Sequence, residues 1–131
     1  MTDRTTLRLE DAPLVVAPDG SDVRVLLRLA GGSMAHFELA AGRTSAAVEH
    51  RTISEIWYVL AGRGEMWCSA GGAETIVVLE SGVCLAIPVG TAFQFRSHGP
   101  GPLRAIAVTM PPWPGDDEAV PVDGCAHWMA R

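Results

Sequence analysis

The stretch VEHRTISEIWYVLAGRG, residues 48–64, carries a histidine and a glutamate five positions apart, His50 and Glu55, separated by the polar run RTIS. On one continuous strand, residues an odd number apart point to opposite faces. A polar break that resets the register lets both side chains face one interior. If His50 faces inward, so does Val48; if Glu55 does, so do Trp57 and Val59. An imidazole and a carboxyl group inside an apolar, aromatic chamber have the makeup of a small-molecule site. Burial disfavours charge on each group, whereas mutual pairing favours the charged pair. Such a pair can serve as general acid or base, with the carboxylate fixing the imidazole tautomer, for a rate gain on the order of 10²–10⁴-fold.

The same two residues are also metal ligands by type, but two protein ligands are fewer than transition-metal centres use. His36, in MAHFELA, supplies the one route to a third. A site of His36, His50 and Glu55 holding Fe, Ni, Mn or Zn is therefore the competing expectation, although no cofactor is favoured. The bland alternative is a buried ion pair in a relic cavity. Against it stands the desolvation cost of two ionisable groups in an apolar interior.

Other chemistries lack their residues. No GxSxG occurs, so no nucleophile elbow is expected. Cys68, Cys84 and Cys125 are odd in number and widely spaced, which fits free thiols better than a disulfide framework or a metal pair. His98 sits in the turn-like SHGPG, and His127 and Cys125 lie near the C-terminus. Asp116, Asp117 and Glu118 read as a solvated acidic loop or the first turn of a short helix. The net charge is −5 and the arginines are scattered, so neither nucleic acid nor an anionic membrane surface is an expected partner. No apolar run reaches bilayer length. The start, MTDRTTLRLEDAP, lacks the apolar stretch of a signal peptide, and the cytoplasm is the expected compartment.

The elements that must position His50 and Glu55 are strands. DVRVLLRLA, MAHFELA, EIWYVLA, GEMWCSA, ETIVVLE, VCLAIPV, AFQFRS and LRAIAVTM are short, rich in β-branched and aromatic residues, and divided by Gly, Pro or Ser. With 131 residues, 48% of them hydrophobic, the chain supports one domain with one core. Many short strands with regular turn signals predict an all-β sandwich or barrel. Gly42, Gly62 and Gly82 recur at twenty-residue intervals without repeated sequence. Met66 and Trp67 alternate, so Trp67 is expected outside, under a partner subunit or the tail. The segment from Met110 on carries four of the nine prolines and predicts an extended tail pinned by Trp113 and Trp128.

These glycines and the His–Glu pair resemble the two motifs of the cupin family. Its first motif, Gly-x5-His-x-His-x3,4-Glu-x6-Gly, maps onto Gly42, Val48, His50, Glu55 and Gly62 with every spacing kept. Its second, Gly-x5-Pro-x-Gly-x2-His-x3-Asn, maps onto Gly82, Pro88, Gly90, Phe93 and Ser97. The segments EIWYVLAGRGEMW and MPPWPG are also similar to those of a group of small bacterial cupin-domain proteins. The resemblance implies a double-stranded β-helix, a jelly-roll-like barrel, over residues 1–131, with a core of about 22–110 and the Pro-rich tail at 111–131. It also implies a homodimer through an outer sheet face.

Family cupins bind a metal through four of these positions; His50 and Glu55 are kept, while Val48 and Phe93 replace the other two. Alternation from Phe93 places Phe95 inside as well. The expected function is acid–base transformation of a small, partly apolar metabolite: isomerisation, epimerisation, cyclisation or dehydration. His50 and Glu55 would do the chemistry, with Val48, Trp57, Val59, Phe93, Phe95 and His36 around the substrate. Metal-free sugar epimerases of this fold provide a precedent for a His–acid pair, though at other positions. The alternatives are a metal-dependent oxygenase or lyase using His36, and a non-catalytic ligand-binding or sensor protein.

Overall fold

A computed structural model describes residues 5–128. Eleven strands are divided between two sheets: β1 Leu14–Val16, β2 Asp22–Leu29, β3 Gly32–Leu39, β4 Val48–His50, β5 Ser54–Ala61, β6 Arg63–Ala70, β7 Ala73–Glu80, β8 Cys84–Ile87, β9 Ala92–Ser97, β10 Leu103–Met110 and β11 Ala119–Pro121. One sheet has the order β1-β2-β3-β10-β5-β8 and the other β11-β4-β9-β6-β7, with every pairing antiparallel. This is the double-stranded β-helix arrangement. Among the described residues the helical elements are two single 3₁₀ turns, Leu9–Asp11 and Asp116–Glu118. No helix among them is long and apolar enough to cross a membrane.

All eight strand-like segments of the sequence become strands. Alternation sets which side is buried: on β5, Glu55, Trp57 and Val59 are buried while Ile56, Tyr58 and Leu60 are exposed. The inner faces of both sheets meet in one core that includes Trp57, Val59, Met66, Leu79, Ile87, Phe93 and Phe95. Full burial of side chains of this size contributes about 1.5–3 kcal/mol each. Opposite Trp57 and Val59, β10 presents only Ala107 and Ala105. Those small residues leave room for the indole, which stacks on Phe37 at 5.1 Å and meets Phe95 edge-on at 5.0 Å.

Gly62, between β5 and β6, has φ of +89°, a region that L side chains avoid. A Cβ there would also strike the carbonyl oxygen of Pro102. The β5–β6 connection can therefore be this tight only with glycine.

The C-terminal segment packs against both sheets. Trp113 packs against the main core, and β11 then pairs with β4. Trp128 ends in a second cluster with Ala47, Trp67 and Ala92. Trp67 thus points away from the core, beneath the tail, and its indole donates to Glu74 at 2.7 Å. Met66 is wholly enclosed on the other side.

Candidate functional site

His50 ends β4 and Glu55 is the second residue of β5; the intervening loop turns both inward. A buried carboxylate, Glu118, holds that loop. It accepts hydrogen bonds from the Thr52 amide (2.6 Å), the Thr52 hydroxyl (2.6 Å) and the Ile53 amide (2.9 Å). The Arg51 amide donates to its backbone oxygen at 3.0 Å. Burial pushes the Glu118 carboxyl up, but these bonds outweigh it and hold it below the usual range. The acidic run is therefore a 3₁₀ turn whose last carboxylate is structural, where a solvated loop or helix start was expected.

Both chemical groups are buried. His50 Nδ1 lies 3.1 Å from Glu55 Oε1. The distance suits a hydrogen bond, yet the directions do not: Nδ1 is enclosed and has no hydrogen-bond partner among the described residues. Instead, the imidazole is held edge-on between Phe93 (5.1 Å) and Trp113 (5.2 Å). Glu55 is oriented by Trp57, whose indole N–H donates to Oε2 at 2.9 Å. The orienting bond thus runs from the Trp57 indole to the carboxylate, in place of the expected bond from the imidazole to the carboxylate.

Burial sets the protonation states. It lowers His50 to about 4, against the opposing charge of Glu118, so the imidazole is neutral at pH 7. It raises Glu55 to about 7, reinforced by the nearby charge of Asp19 and resisted by the Trp57 bond. A neutral base therefore sits beside a carboxyl that titrates near neutrality, the range where proton transfer is most effective.

The pair opens on a cavity of about 180 Å³. Val48, Trp57 and Phe93 line it. Val48 and Phe93, the replacements at the missing ligand positions, are direct cross-strand neighbours and jointly fill that space. Three expectations need correction. Val59 and Phe95 face inward but belong to the closed core beside the cavity. His36 lies on the outer face of its sheet, because on β3 it is Ser33, Ala35 and Phe37 that share the inner parity. It lines a separate outer cleft with Arg24, Glu38 and Arg104. His36 therefore does not join His50 and Glu55, and no group of three His, Cys, Asp or Glu side chains is placed to hold a metal among the described residues. The donor set at this site, one imidazole and one carboxyl flanked by Val48 and Phe93, does not fit the metal of the four-ligand motif.

Several site residues escaped the sequence reading. Thr109 lies across from Glu55 on β10, and its hydroxyl is 2.5 Å from that of Ser33. Ser33 Oγ also accepts from the Trp113 amide at 3.0 Å, tying the C-terminal segment to the cavity wall. Asp19, in the turn between β1 and β2, lines the same cavity. Asp-Gly followed by Ser signals a turn, but nothing local signals that the turn folds over the cavity.

The titration of Glu55 has a stability consequence. Its folded-state pKa lies above the ordinary value of 4.5. The folded protein therefore binds more protons than the unfolded chain between about pH 4.5 and 7, and stability falls as pH rises through that window. Glu55→Gln removes the penalty while retaining an acceptor for Trp57. We expect this variant to be more stable than the parent at pH 8, by at most about 3 kcal/mol at about 1.4 kcal/mol per pKa unit, with no advantage at pH 4. Chemical denaturation at the two pH values measures the difference.

A family model described as Cupin domain matches residues 35–109. No curated protein matches the sequence. Among solved structures, the capsular polysaccharide assembling protein CapF from Staphylococcus aureus is similar over 85% of this chain and 32% of its own, with a TM-score of 0.72 and 14% identity. Streptomyces PAC13, as a variant with uridine, is similar over 92% of both chains, with a TM-score of 0.71 and 13% identity. Oxalate decarboxylase from Bacillus subtilis is similar over 93% of this chain and 33% of its own, with a TM-score of 0.78 and 12% identity. At such identities the likeness is one of fold. The chain spans about a third of the CapF and oxalate decarboxylase chains.

Proposed function

The chain belongs to the cupin family, and from that premise we propose that it binds a small, partly apolar metabolite and transforms it by acid–base chemistry. The observation that supports this reading is the enclosed His50 Nδ1, unpartnered and 3.1 Å from a Glu55 carboxyl, beside a cavity of about 180 Å³. A buried polar atom left without a partner forfeits its hydration. A ligand hydroxyl or carbonyl near the pair restores polar contact. One group takes a proton from the substrate and the other returns one, leaving the site's total protonation unchanged over a cycle. That balance suits isomerisation, epimerisation, cyclisation or dehydration without a change of oxidation state in the protein.

The test is incubation of the full chain with a metabolite extract in D₂O, followed by mass spectrometry of whatever the protein retains and releases. A retained compound whose product carries solvent deuterium supports the proposal. Retention without chemical change or exchange would make the protein a binding module.

We also propose that the protein is a homodimer. The exposed Ile56 and Tyr58 on β5 continue across the sheet through Val108 and Ile106 on β10, and Val108 is paired in turn with the exposed Met34 on β3. A contiguous apolar face of this kind suits a second copy. Ile56→Arg is expected to shift the protein from dimer to monomer in sedimentation velocity; a monomeric parent would refute the dimer.

A further inference from the structure

The cavity carries a charge pattern that proton transfer between His50 and Glu55 does not need. Asp19 enters it from the β1–β2 turn, nearly buried, with Oδ1 accepting from the Ser21 amide (2.9 Å) and hydroxyl (2.6 Å). Two buried carboxyls thus share one small apolar space. All ten basic residues of the chain are arginines, and among the described residues only Arg28 of these reaches the cavity lining, where it is exposed. Among the described residues, then, the interior holds no side-chain cation to balance Asp19 and Glu55. The wall is aromatic: Phe37, Trp57, Phe93 and Trp113. Aromatic faces attract cations, and do so more strongly where water is excluded.

We propose that the ligand of this cavity is a small organic cation, an amine on a one-ring apolar body, with its ammonium group between Asp19 and Glu55 and its ring against Phe93 and Trp113. The inference rests on the reading of the cavity as a small-molecule site and narrows its substrate class. Size agrees: a cavity of about 150 Å³ accommodates benzene, so about 180 Å³ holds one ring with a short substituent. Charge agrees too. Burial raises both carboxyls, which is the behaviour of acids lacking a counter-ion. An arriving ammonium supplies that counter-ion, and the His50 ring lines the same space from β4.

The groups around Glu55 set the pH dependence. They are Asp19 from the β1–β2 turn, His50 from β4 (itself under the charge of Glu118), Arg28 from β2, Thr109 from β10 and Asp116 from the C-terminal segment; Ile87 of β8 is apolar. Between pH 8 and 6 an aliphatic amine stays charged and His50, lowered to about 4, stays neutral. Glu55, at about 7, loses its charge across that interval. Amine affinity should therefore weaken roughly tenfold from pH 8 to pH 6, in step with the ionised fraction.

The experiment is calorimetric titration of the full chain with benzylamine, benzyl alcohol and benzoate at both pH values. Benzylamine is expected to bind at least tenfold more tightly than benzyl alcohol at pH 8, with benzoate weakest and with the preference shrinking at pH 6. Asp19→Asn, which keeps the oxygen that Ser21 uses, should cut the preference to a few-fold. If that variant does not fold, Glu55→Gln makes the same test. Equal or tighter binding of benzyl alcohol, capture of benzoate through Arg28, or silence of all three probes would overturn the inference. A neutral compound retained and deuterated in the D₂O experiment would overturn it too, while leaving the proposed acid–base function standing.

Discussion

Replacing His50 by Gln lowers turnover of the retained substrate by about 10²–10⁴-fold, the usual contribution of a positioned acid or base, and Glu55→Gln does the same. Both substitutions preserve volume and polarity, so the loss measures proton transfer and not packing. The pH profile separates the two roles. With the imidazole lowered to about 4 and the carboxyl raised to about 7, an ionised Glu55 acting as base beside a neutral His50 that returns the proton gives activity that rises through about pH 7. Trp57→Phe then offers a readout that a structural role would not move. The indole N–H favours the ionised carboxyl, so its loss raises the Glu55 pKa and shifts that rise to higher pH. Unchanged turnover in both His50→Gln and Glu55→Gln would remove the pair from the chemistry.

The reading of Glu55 as the titrating partner carries a trade-off that the same variants expose. Glu55→Gln is predicted to lose turnover and gain stability at neutral pH, because the carboxyl sits where solvation favours its neutral form. Opposite movements of activity and stability are the signature of a group retained for function at the expense of the fold. A relic ion pair would show only the second change. Measured together, the two quantities decide between a working site and a remnant.

Much of this was legible in the sequence because it is governed by local rules. Strands of four to eight residues display their alternation, and all eight segments read as strands are strands. The polar RTIS between His50 and Glu55 signalled a register reset, and both side chains face inward. What stayed hidden depends on contacts distant in the chain. β1, β4 and β11 are three residues each, too short for a period to show. His36 fits inward or outward equally well until β2 and β10 fix the sheet on both sides of it. Phe95 and Val59 have the expected parity, but depth along the barrel axis, which separates cavity wall from closed core, is not written in alternation. Asp19 and Glu118 resemble ordinary turn acids in sequence and become buried only through residues far along the chain.

Glu118 is where that long-range dependence is strongest, and its removal should damage the fold more than any surface change. Glu118→Ala leaves the Thr52 amide, the Thr52 hydroxyl and the Ile53 amide without their acceptor. Hydrogen bonds to a charged group contribute about 1.5–3 kcal/mol each, but the Thr52 groups lie near solvent and recover part of theirs from water. A net loss of about 3–5 kcal/mol follows, comparable to breaking a buried charged contact, and the midpoint of thermal unfolding falls by about 10–20 °C for a domain of this size. The sign with pH is fixed. A carboxyl held below its unfolded value contributes stability above that value and loses it as pH falls through the folded pKa. The parent's acid unfolding should therefore steepen where Glu118 protonates, and the step should be missing in Glu118→Gln, which keeps one oxygen acceptor and loses less stability at pH 7. The loop that Glu118 clamps sets the approach of His50 to Glu55, so Glu118→Gln should also weaken ligand retention while folded. A variant with parental stability and parental ligand retention would mean that the two short strands β4 and β11 hold the pair in place without it.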